Sequence, residues 1–292
     1  MNKLTVSLAT RNRPKLLIET LYETLPNIEL GTTKVVVGID EDDKDTIRAI
    51  NESGLTKGRQ VIASIRPRED NRGEKYDRAL TEAPADVYLV QGDYTPIVTK
   101  GFDKIILEKA ALFPDGIGCI HTNYFHRSVF PPGLQAVTQG WVNKVGYIYS
   151  HEYPFWFIDH ELHDLARLVG RYFPADVDID TSRKPADTMR LRDVAFWASY
   201  YDMMALDRRA KARAMIQSED FKTPEWLKQG LLDDYHVIET EAWRINESVR
   251  HSAADLEARR GDKGPPDEGY LRAKAKAEAK LNELFSTLRQ AA

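Results

Sequence analysis

The sequence predicts an α/β protein: a mainly parallel sheet covered by helices on both faces, followed by a helical carboxyl-terminal region. Three observations carry this. Up to about residue 120, short continuous apolar runs alternate with amphipathic helical stretches, the pattern of strands buried on both faces. From about residue 188 the strand-like runs stop and helical periodicities follow one another. Of the 292 residues, 42% are apolar and 29% charged, which excludes a disordered, collagen-like or membrane-spanning chain as a description of the whole. We place the sheet domain at residues 1–187 and the helical region at 188–292.

The elements read in order. Leu4 to Leu8 is a short β-rich run, and Pro14 opens a helix carrying Leu17, Leu21 and Leu25 that Pro26 ends. Lys34 to Ile39 is a second strand, followed by an acidic turn, Asp40 to Asp43, and a helix with Ile47 and Ile50. Val61 to Ile65 is a third strand. A helix carrying Tyr76, Ala79 and Leu80 precedes the fourth, Asp86 to Val90, and one carrying Phe102, Ile105 and Ile106 precedes the fifth, Ile117 to Ile120. Residues 122–158 read as an aromatic loop region, and a helix then runs from Asp159 to a stop at Gly170. Beyond it, Val194, Trp197, Tyr201 and Met204 share a helix face, Thr223-Pro224-Glu225 marks a helix start, and Ile238 to Val249 forms another stripe. Ser252 to Arg260 reads as a short helix, Gly261 to Gly269 as a linker, and Tyr270 to Gln290 as a terminal helix.

Charge and cysteine content narrow the setting. There are 41 Lys and Arg against 45 Asp and Glu, a net charge of −4, so a generally basic nucleic-acid coat is excluded and any polyanion site is local. The single cysteine, Cys119, cannot form an internal disulfide and sits in an apolar run, where it reads as a small buried hydrophobe. No run approaches the ~20 apolar residues that span a bilayer, and Met1-Asn2-Lys3 shows no signal-peptide pattern. We expect a cytoplasmic protein.

Parallel sheets bind ligands at the carboxyl ends of their strands. Those ends carry Thr10-Arg11-Asn12-Arg13, then Asp40 to Asp43, then Arg66, Arg68 and Arg72, then Gln91-Gly92-Asp93-Tyr94. One rim therefore gathers arginines, which suit phosphate oxygens, and carboxylates, which suit a divalent metal or hydroxyl groups.

The most specific local signal is Asp86-Val87-Tyr88-Leu89-Val90-Gln91-Gly92-Asp93-Tyr94-Thr95-Pro96, followed by Gly101-Phe102. Here the chain resembles the GT-A fold glycosyltransferases similar to family 2, over roughly residues 3–170. In that group a strand ends in an acidic pair, with a proline and then a Gly-aromatic pair beyond. The resemblance implies a nucleotide-sugar donor, a UDP-sugar before others, and a divalent cofactor, Mn2+ or Mg2+, held by Asp93. Gly92 departs from the family, which usually has an acid there, and leaves a single carboxylate. Thr10 and Arg11 fall in the nucleotide-contacting loop, Asp40 where an acid meets base or ribose, and Arg66 and Lys75 in the segment that wraps base and diphosphate.

A second constellation is Phe155-Trp156-Phe157-Ile158-Asp159-His160-Glu161-Leu162-His163. In the same family an aromatic stretch leads into an acidic helix start whose acid takes the acceptor's hydroxyl proton. Asp159 matches that base and Glu161 the following acid. A positioned base is what a sugar hydroxyl needs to become a nucleophile. Asp159 also reads as a helix cap, and the two roles are compatible. His163, one turn on, either orients the base or supplies a metal ligand. Trp156 either lines the acceptor pocket or is core.

The acceptor is read from the second half. Residues 190–292 hold 18 Lys and Arg and 18 Asp and Glu, with clusters at Arg208-Arg209-x-Lys211-x-Arg213, Arg259-Arg260-x-x-Lys263 and Arg272-x-Lys274-x-Lys276. A compact enzyme with added helices is similar to virus-encoded glycosyltransferases acting on hydroxymethylated pyrimidines in DNA. This makes double-stranded DNA the favoured acceptor, with Arg208 and Arg209 on phosphates and Tyr124 and Trp156 stacking on a base. The alternatives are transfer to a surface polysaccharide or lipid-linked glycan, and an inactive GT-A-like binding protein, which Gly92 suggests.

Overall fold

A computed structural model describes residues 2–124, 134–183, 193–222 and 266–291. Its strands are β1 (Asn2–Ala9), β2 (Thr33–Asp40), β3 (Val61–Arg66), β4 (Ala85–Gly92), β5 (Cys119–Tyr124), β6 (Gln135–Thr138) and β7 (Tyr172–Ile179). They form one seven-stranded sheet in the order β3-β2-β1-β4-β6-β5-β7. Neighbours pair in parallel except at β6, which is antiparallel to both β4 and β5.

The helices are α1 (Pro14–Thr24), α2 (Lys44–Ser53), α3 (Arg72–Glu82), α4 (Phe102–Ala110), α5 (Gln139–Val145), α6 (Ile158–Leu168), α7 (Val194–Met203), α8 (Ala205–Gln217) and α9 (Glu268–Ala291). Local chemistry sets their starts. Pro14 opens α1 at a position that needs no donor. The Asp43 carboxylate accepts from Thr46 N at 3.2 Å at the start of α2, and Asn71 Oδ1 accepts from Glu74 N at 2.9 Å at the start of α3.

Alternate side chains of the strands feed two cores. Leu4, Val6 and Leu8 of β1 face one side, with Val35 and Val37 of β2 and Leu17 and Leu21 of α1. Val36 and Val90 face the other, with Tyr76 and Ala79 of α3 and Trp141 of α5. β1 turns polar residues toward α3, and each finds a helix carbonyl: Thr5 Oγ1 donates to Ala83 O at 2.7 Å and Ser7 Oγ to Tyr76 O at 2.8 Å. Such pairing offsets the cost of burying a hydroxyl.

The second core also takes in the carboxyl-terminal helices. Trp197, Tyr200 and Tyr201 of α7 surround Tyr153, and Trp197 Nε1 donates to Tyr270 Oη of α9 at 3.2 Å. Among the described residues, α7 to α9 therefore share the sheet's core rather than enclosing one of their own.

Three features differ from the sequence reading. The stretch expected to be an aromatic loop contains β6 and α5, and β7 follows α6 as the outermost strand. Helix α6 begins one residue early, with Phe157 as its cap. The expected helix start at Thr223, the stripe from Ile238 to Val249, the helix from Ser252 to Arg260 and most of the Gly261–Gly269 linker lie outside the described residues.

Candidate active site

The carboxyl ends of β1, β2 and β4 converge on one rim. Asp93 follows β4 directly and is 2% exposed. Thr10 Oγ1 donates to its Oδ2 at 2.8 Å, and Arg13 Nη1 lies 3.1 Å from its Oδ1. Thr20 Oγ1, from α1, fixes the backbone by donating to Asp93 O at 3.0 Å. The loop after β1 thus wraps the carboxylate, helped by the left-handed backbone of Asn12 (φ 53°), a conformation Asn tolerates.

Asp40 ends β2, fully buried, and gathers three cations. Arg11 Nη1 lies 2.7 Å from its Oδ2, Lys75 pairs with its Oδ1, and Arg78 Nη2 stands 3.7 Å away. Arg11 also grips Asp42 with two bonds of 2.6 and 2.8 Å, which pushes the Asp42 carboxyl down to about 2. Burial lowers the Lys75 pKa, against the pull of Asp40. Lys75 reaches Asp40 across β2 because residue 38 is glycine. A Cβ there would sit 2.8 Å from Lys75 Cγ.

Arg72, the first residue of α3, joins the two halves of the site. Its guanidinium lies over the rings of Tyr76 at 5.3 Å and Phe155 at 5.1 Å. Burial opposes its charge, but Tyr76 and Asp93 raise its pKa above the ordinary arginine value. Its backbone N donates to Pro154 O at 3.2 Å, which seats the segment leading into α6 against α3. Gly73 permits this contact, since a Cβ would meet Ser150 O at 2.6 Å. Gly92 is shaped by its neighbour: Thr95 Oγ1 bonds its N at 3.1 Å and occupies the space a Cβ would enter.

At the start of α6, Phe157 holds φ 73°, a left-handed conformation that strains a bulky residue. The ring is fully buried and stacks on Tyr201 at 5.1 Å, which holds the turn in place. Asp159 lies in the first helical turn, not at the cap, and its side chain keeps 38% exposure. Its Oδ1 accepts from His160 N and pairs with His160 Nδ1, both at 3.0 Å. Burial opposes ionisation of Asp159, but the charge and hydrogen bonds of His160 outweigh it and hold the carboxyl below its ordinary value. The same pair raises His160 despite its burial.

Glu161, two residues on, is 2% exposed and points elsewhere. Lys211 Nζ of α8 lies 2.9 Å from its Oε1, and Tyr147 Oη donates to the same oxygen at 3.1 Å. The remaining predicted residues scatter. Arg66 turns from the Asp40 cluster to Glu82 and to Thr81 Oγ1, the latter at 3.0 Å. His163 Nδ1 lies 3.3 Å from Asp164 Oδ1, and its ring meets the edge of Tyr172. Among the described residues no three His, Cys, Asp or Glu side chains converge on one metal position, so His163 and Asp93 are not joined in such a group. Trp156 packs half-buried, and its Nε1 is buried with no hydrogen-bond partner among the described residues. Tyr124 ends β5, and its side chain lies outside the described residues.

The basic run of α8 does not form one face. Arg208 is 5% exposed, donates to Tyr201 O at 2.6 Å and lies 3.8 Å over the Tyr201 ring. Lys211 is taken by Glu161, Arg209 is half-buried, and Arg213 is exposed. On α9, Arg272 pairs with Asp70 at 2.7 Å and Lys274 with Asp193 at 2.6 Å. The cluster at Arg259, Arg260 and Lys263 lies outside the described residues.

No family model and no curated protein matches the sequence. Solved structures do match. The mannosyltransferase PcManGT from Pyrobaculum calidifontis, solved with GDP-Man and Mn2+, is 15% identical with a TM-score of 0.57, over 99% of this chain and 84% of that one. S. aureus TarS is 12% identical with a TM-score of 0.53, over 80% of this chain and 42% of TarS. Glucosyl-3-phosphoglycerate synthase from Mycobacterium tuberculosis, solved with Mn2+, UDP and phosphoglyceric acid, is 13% identical with a TM-score of 0.46, over 77% of this chain and 80% of that one. Together with the strand order and the single antiparallel strand, the likeness to the first two shows the fold to be GT-A.

Proposed function

We propose that this chain transfers a sugar from a nucleoside-diphosphate sugar to a hydroxyl group. The observation that carries the reading is the contrast between two carboxylates: Asp93, buried at the end of β4 with Thr10 and Arg13 on its oxygens, and Asp159, partly exposed in the first turn of α6. Buried, with Arg13 on one oxygen and the charge of Arg72 nearby, Asp93 suits a phosphate-and-metal site. Asp159, partly exposed and next to the strained turn at Phe157, suits a proton acceptor.

A lone carboxylate fits a hard divalent ion that takes its other ligands from substrate phosphates. Asp93 would hold that ion, and bound there it would offset charge on the departing diphosphate. Arg13 and, through space, Arg72 place two further positive charges near the same position. Arg11, Asp40 and Lys75 form the neighbouring end of the rim, where base and ribose would lie. Asp159 takes the acceptor's proton as the new bond to the anomeric carbon forms and the bond to the diphosphate breaks. Attack by the acceptor itself, with no enzyme nucleophile, inverts the anomeric centre.

The acceptor is proposed only as a hydroxyl presented at Asp159. Among the described residues, Arg208, Lys211, Arg272 and Lys274, which pointed to DNA, are engaged within the protein, so hydroxymethylated DNA is one arm of the acceptor screen and generic glycans the other. No described helix is long and apolar enough to cross a membrane. The test is turnover of UDP- and GDP-sugars with Mn2+ in the presence of each acceptor class. Donor consumption that depends on Asp93 and Asp159 supports the reading. A protein that consumes no donor under any condition is the binding domain suggested by Gly92.

A further inference from the structure

We propose that Arg13 is an internal counter-ion that occupies the cation position at Asp93 until a nucleoside diphosphate arrives. On arrival the diphosphate takes the arginine and the divalent ion takes the carboxylate. This rests on the reading of Asp93 as the metal ligand and adds the order in which the site fills.

Four observations support it. Both oxygens of Asp93 are engaged, Oδ1 with Arg13 Nη1 at 3.1 Å and Oδ2 with Thr10 Oγ1 at 2.8 Å. Asp93 is 2% exposed, so a metal reaches it only by displacing one of these groups. Thr10 is itself 3% exposed at the end of β1, whereas the Arg13 side chain keeps 18% exposure, 5.7 Å from the centre of the Tyr94 ring. Finally, the neighbouring position supplies no second acid. Residue 92 is glycine, Thr95 Oγ1 fills its side-chain space, and among the described residues Asp93 belongs to no group of three or more His, Cys, Asp or Glu that could hold a metal.

Electrostatics then sets the order. One carboxylate cannot neutralise both a guanidinium and a divalent ion at hydrogen-bond distance, and like charges so close in a buried site repel strongly. A diphosphate supplies the missing negative charge. It draws Arg13 into charge-assisted bonds with phosphate oxygens and bridges to the ion. Metal and nucleotide should therefore bind with positive coupling, of the usual size of roughly 5- to 150-fold, and each should strengthen the other by the same factor.

The experiment measures Mn2+ binding by electron paramagnetic resonance, with and without UDP or GDP, on the wild type, Arg13→Gln, Arg13→Lys and Asp93→Asn. No catalysis is needed, and circular dichroism checks each fold. Without nucleotide, Arg13→Gln should bind Mn2+ at least roughly tenfold more tightly than the wild type, because a unit charge has left the ligand's side. Arg13→Lys, which keeps the charge, should stay near the wild type. The coupling between UDP and Mn2+ should shrink in Arg13→Gln, and Asp93→Asn should bind no Mn2+. If Arg13→Gln matches the wild type without nucleotide while Mn2+ with UDP or GDP still binds through Asp93, the counter-ion proposal falls and the functional reading stands. If no form binds Mn2+ with either nucleotide, the assignment of Asp93 as a metal ligand falls, and the proposal with it.

Discussion

Asp159 and Glu161 are two carboxylates in one helical turn, and their surroundings predict opposite mutant behaviour. Glu161→Gln keeps the shape but removes the charge that faces Lys211 Nζ at 2.9 Å and accepts from Tyr147 Oη at 3.1 Å. Burial works against the Lys211 charge, and Glu161 is the main influence raising its pKa again. Hydrogen bonds to charged groups contribute roughly 1.5–3 kcal/mol. Lys211 keeps 34% side-chain exposure, so water recovers part of that, and a loss of about 2 kcal/mol is expected. For a chain of this size that corresponds to a melting temperature lower by about 4 °C. Turnover below the transition should stay within about threefold of the wild type, since Glu161 touches no open part of the site.

Asp159→Asn should do the reverse. Its side chain is 38% exposed, and asparagine keeps an oxygen that can accept from His160 N, so the melting temperature should hold to within about 2 °C. The proton acceptor is lost, so kcat should fall by roughly 10²- to 10⁴-fold with the KM for donor unchanged. The assay is donor turnover with the acceptor found in the screen, beside thermal melts of both variants. A large kinetic loss in Glu161→Gln with an unchanged melt would refute this division of labour. So would an Asp159→Asn variant that keeps its rate.

Three further outcomes follow from the site. His160 should titrate above its ordinary value of 6.5 by NMR and move down in Asp159→Asn, where burial is no longer opposed by the Asp159 charge. A folded value raised above the unfolded one gives stability that is fully present below the unfolded pKa and is lost as pH rises through the folded one. The stability gap between the wild type and Asp159→Asn should therefore narrow from pH 6 toward pH 9 in calorimetric melts. Asp93→Ala should abolish Mn2+-dependent donor turnover and keep its circular dichroism spectrum. Full wild-type activity in chelator, or an active variant, would remove the metal from Asp93. Gly92→Ala should lower stability by roughly 1–3 kcal/mol, the usual cost of overpacking, because the new Cβ meets Thr95 Oγ1 at 2.9 Å. Adding Thr95→Ala should recover part of the loss in denaturant melts, and no recovery would place the strain elsewhere.

The parallel half of the sheet was legible because its strands are buried on both faces and read as unbroken apolar runs, such as Val35 to Ile39. The other half obeys different rules. β6 has only four residues, Gln135 to Thr138, and carries buried polar groups at both ends, so it lacks the length and hydrophobicity of a strand signal. β7 did carry a signal: Ala175, Val177 and Ile179 are buried while Pro174, Asp176 and Asp178 are exposed, a period of two. Pro174 is tolerated because β7 is an edge strand. Its alternation passes unnoticed beside the apolar runs that dominate the first half.

At the site, the sequence exposed the residues that strand ends must present and misplaced those that a helix distributes. Thr10, Asp40 and Asp93 lie where the strands stop, and the structure builds its rim from them. Arg208 was grouped with Arg209, Lys211 and Arg213 by adjacency, yet on a helix 208, 212 and 215 share a face, and Ala212 and Met215 are core. The spacing alone puts Arg208 inward, where Asp164 at 3.9 Å and the Tyr201 ring meet its charge. The turn that aims Asp159 is less readable. A phenylalanine at φ 73° contradicts local preference, and the packing of its buried ring on Tyr201, forty-odd residues later, with Tyr153 and His160 beside it, holds it there. The helical region, which the sequence set apart from the sheet, thus supplies the ring against which the start of α6 is braced. The position of Asp159 depends on α7 as much as on its own segment.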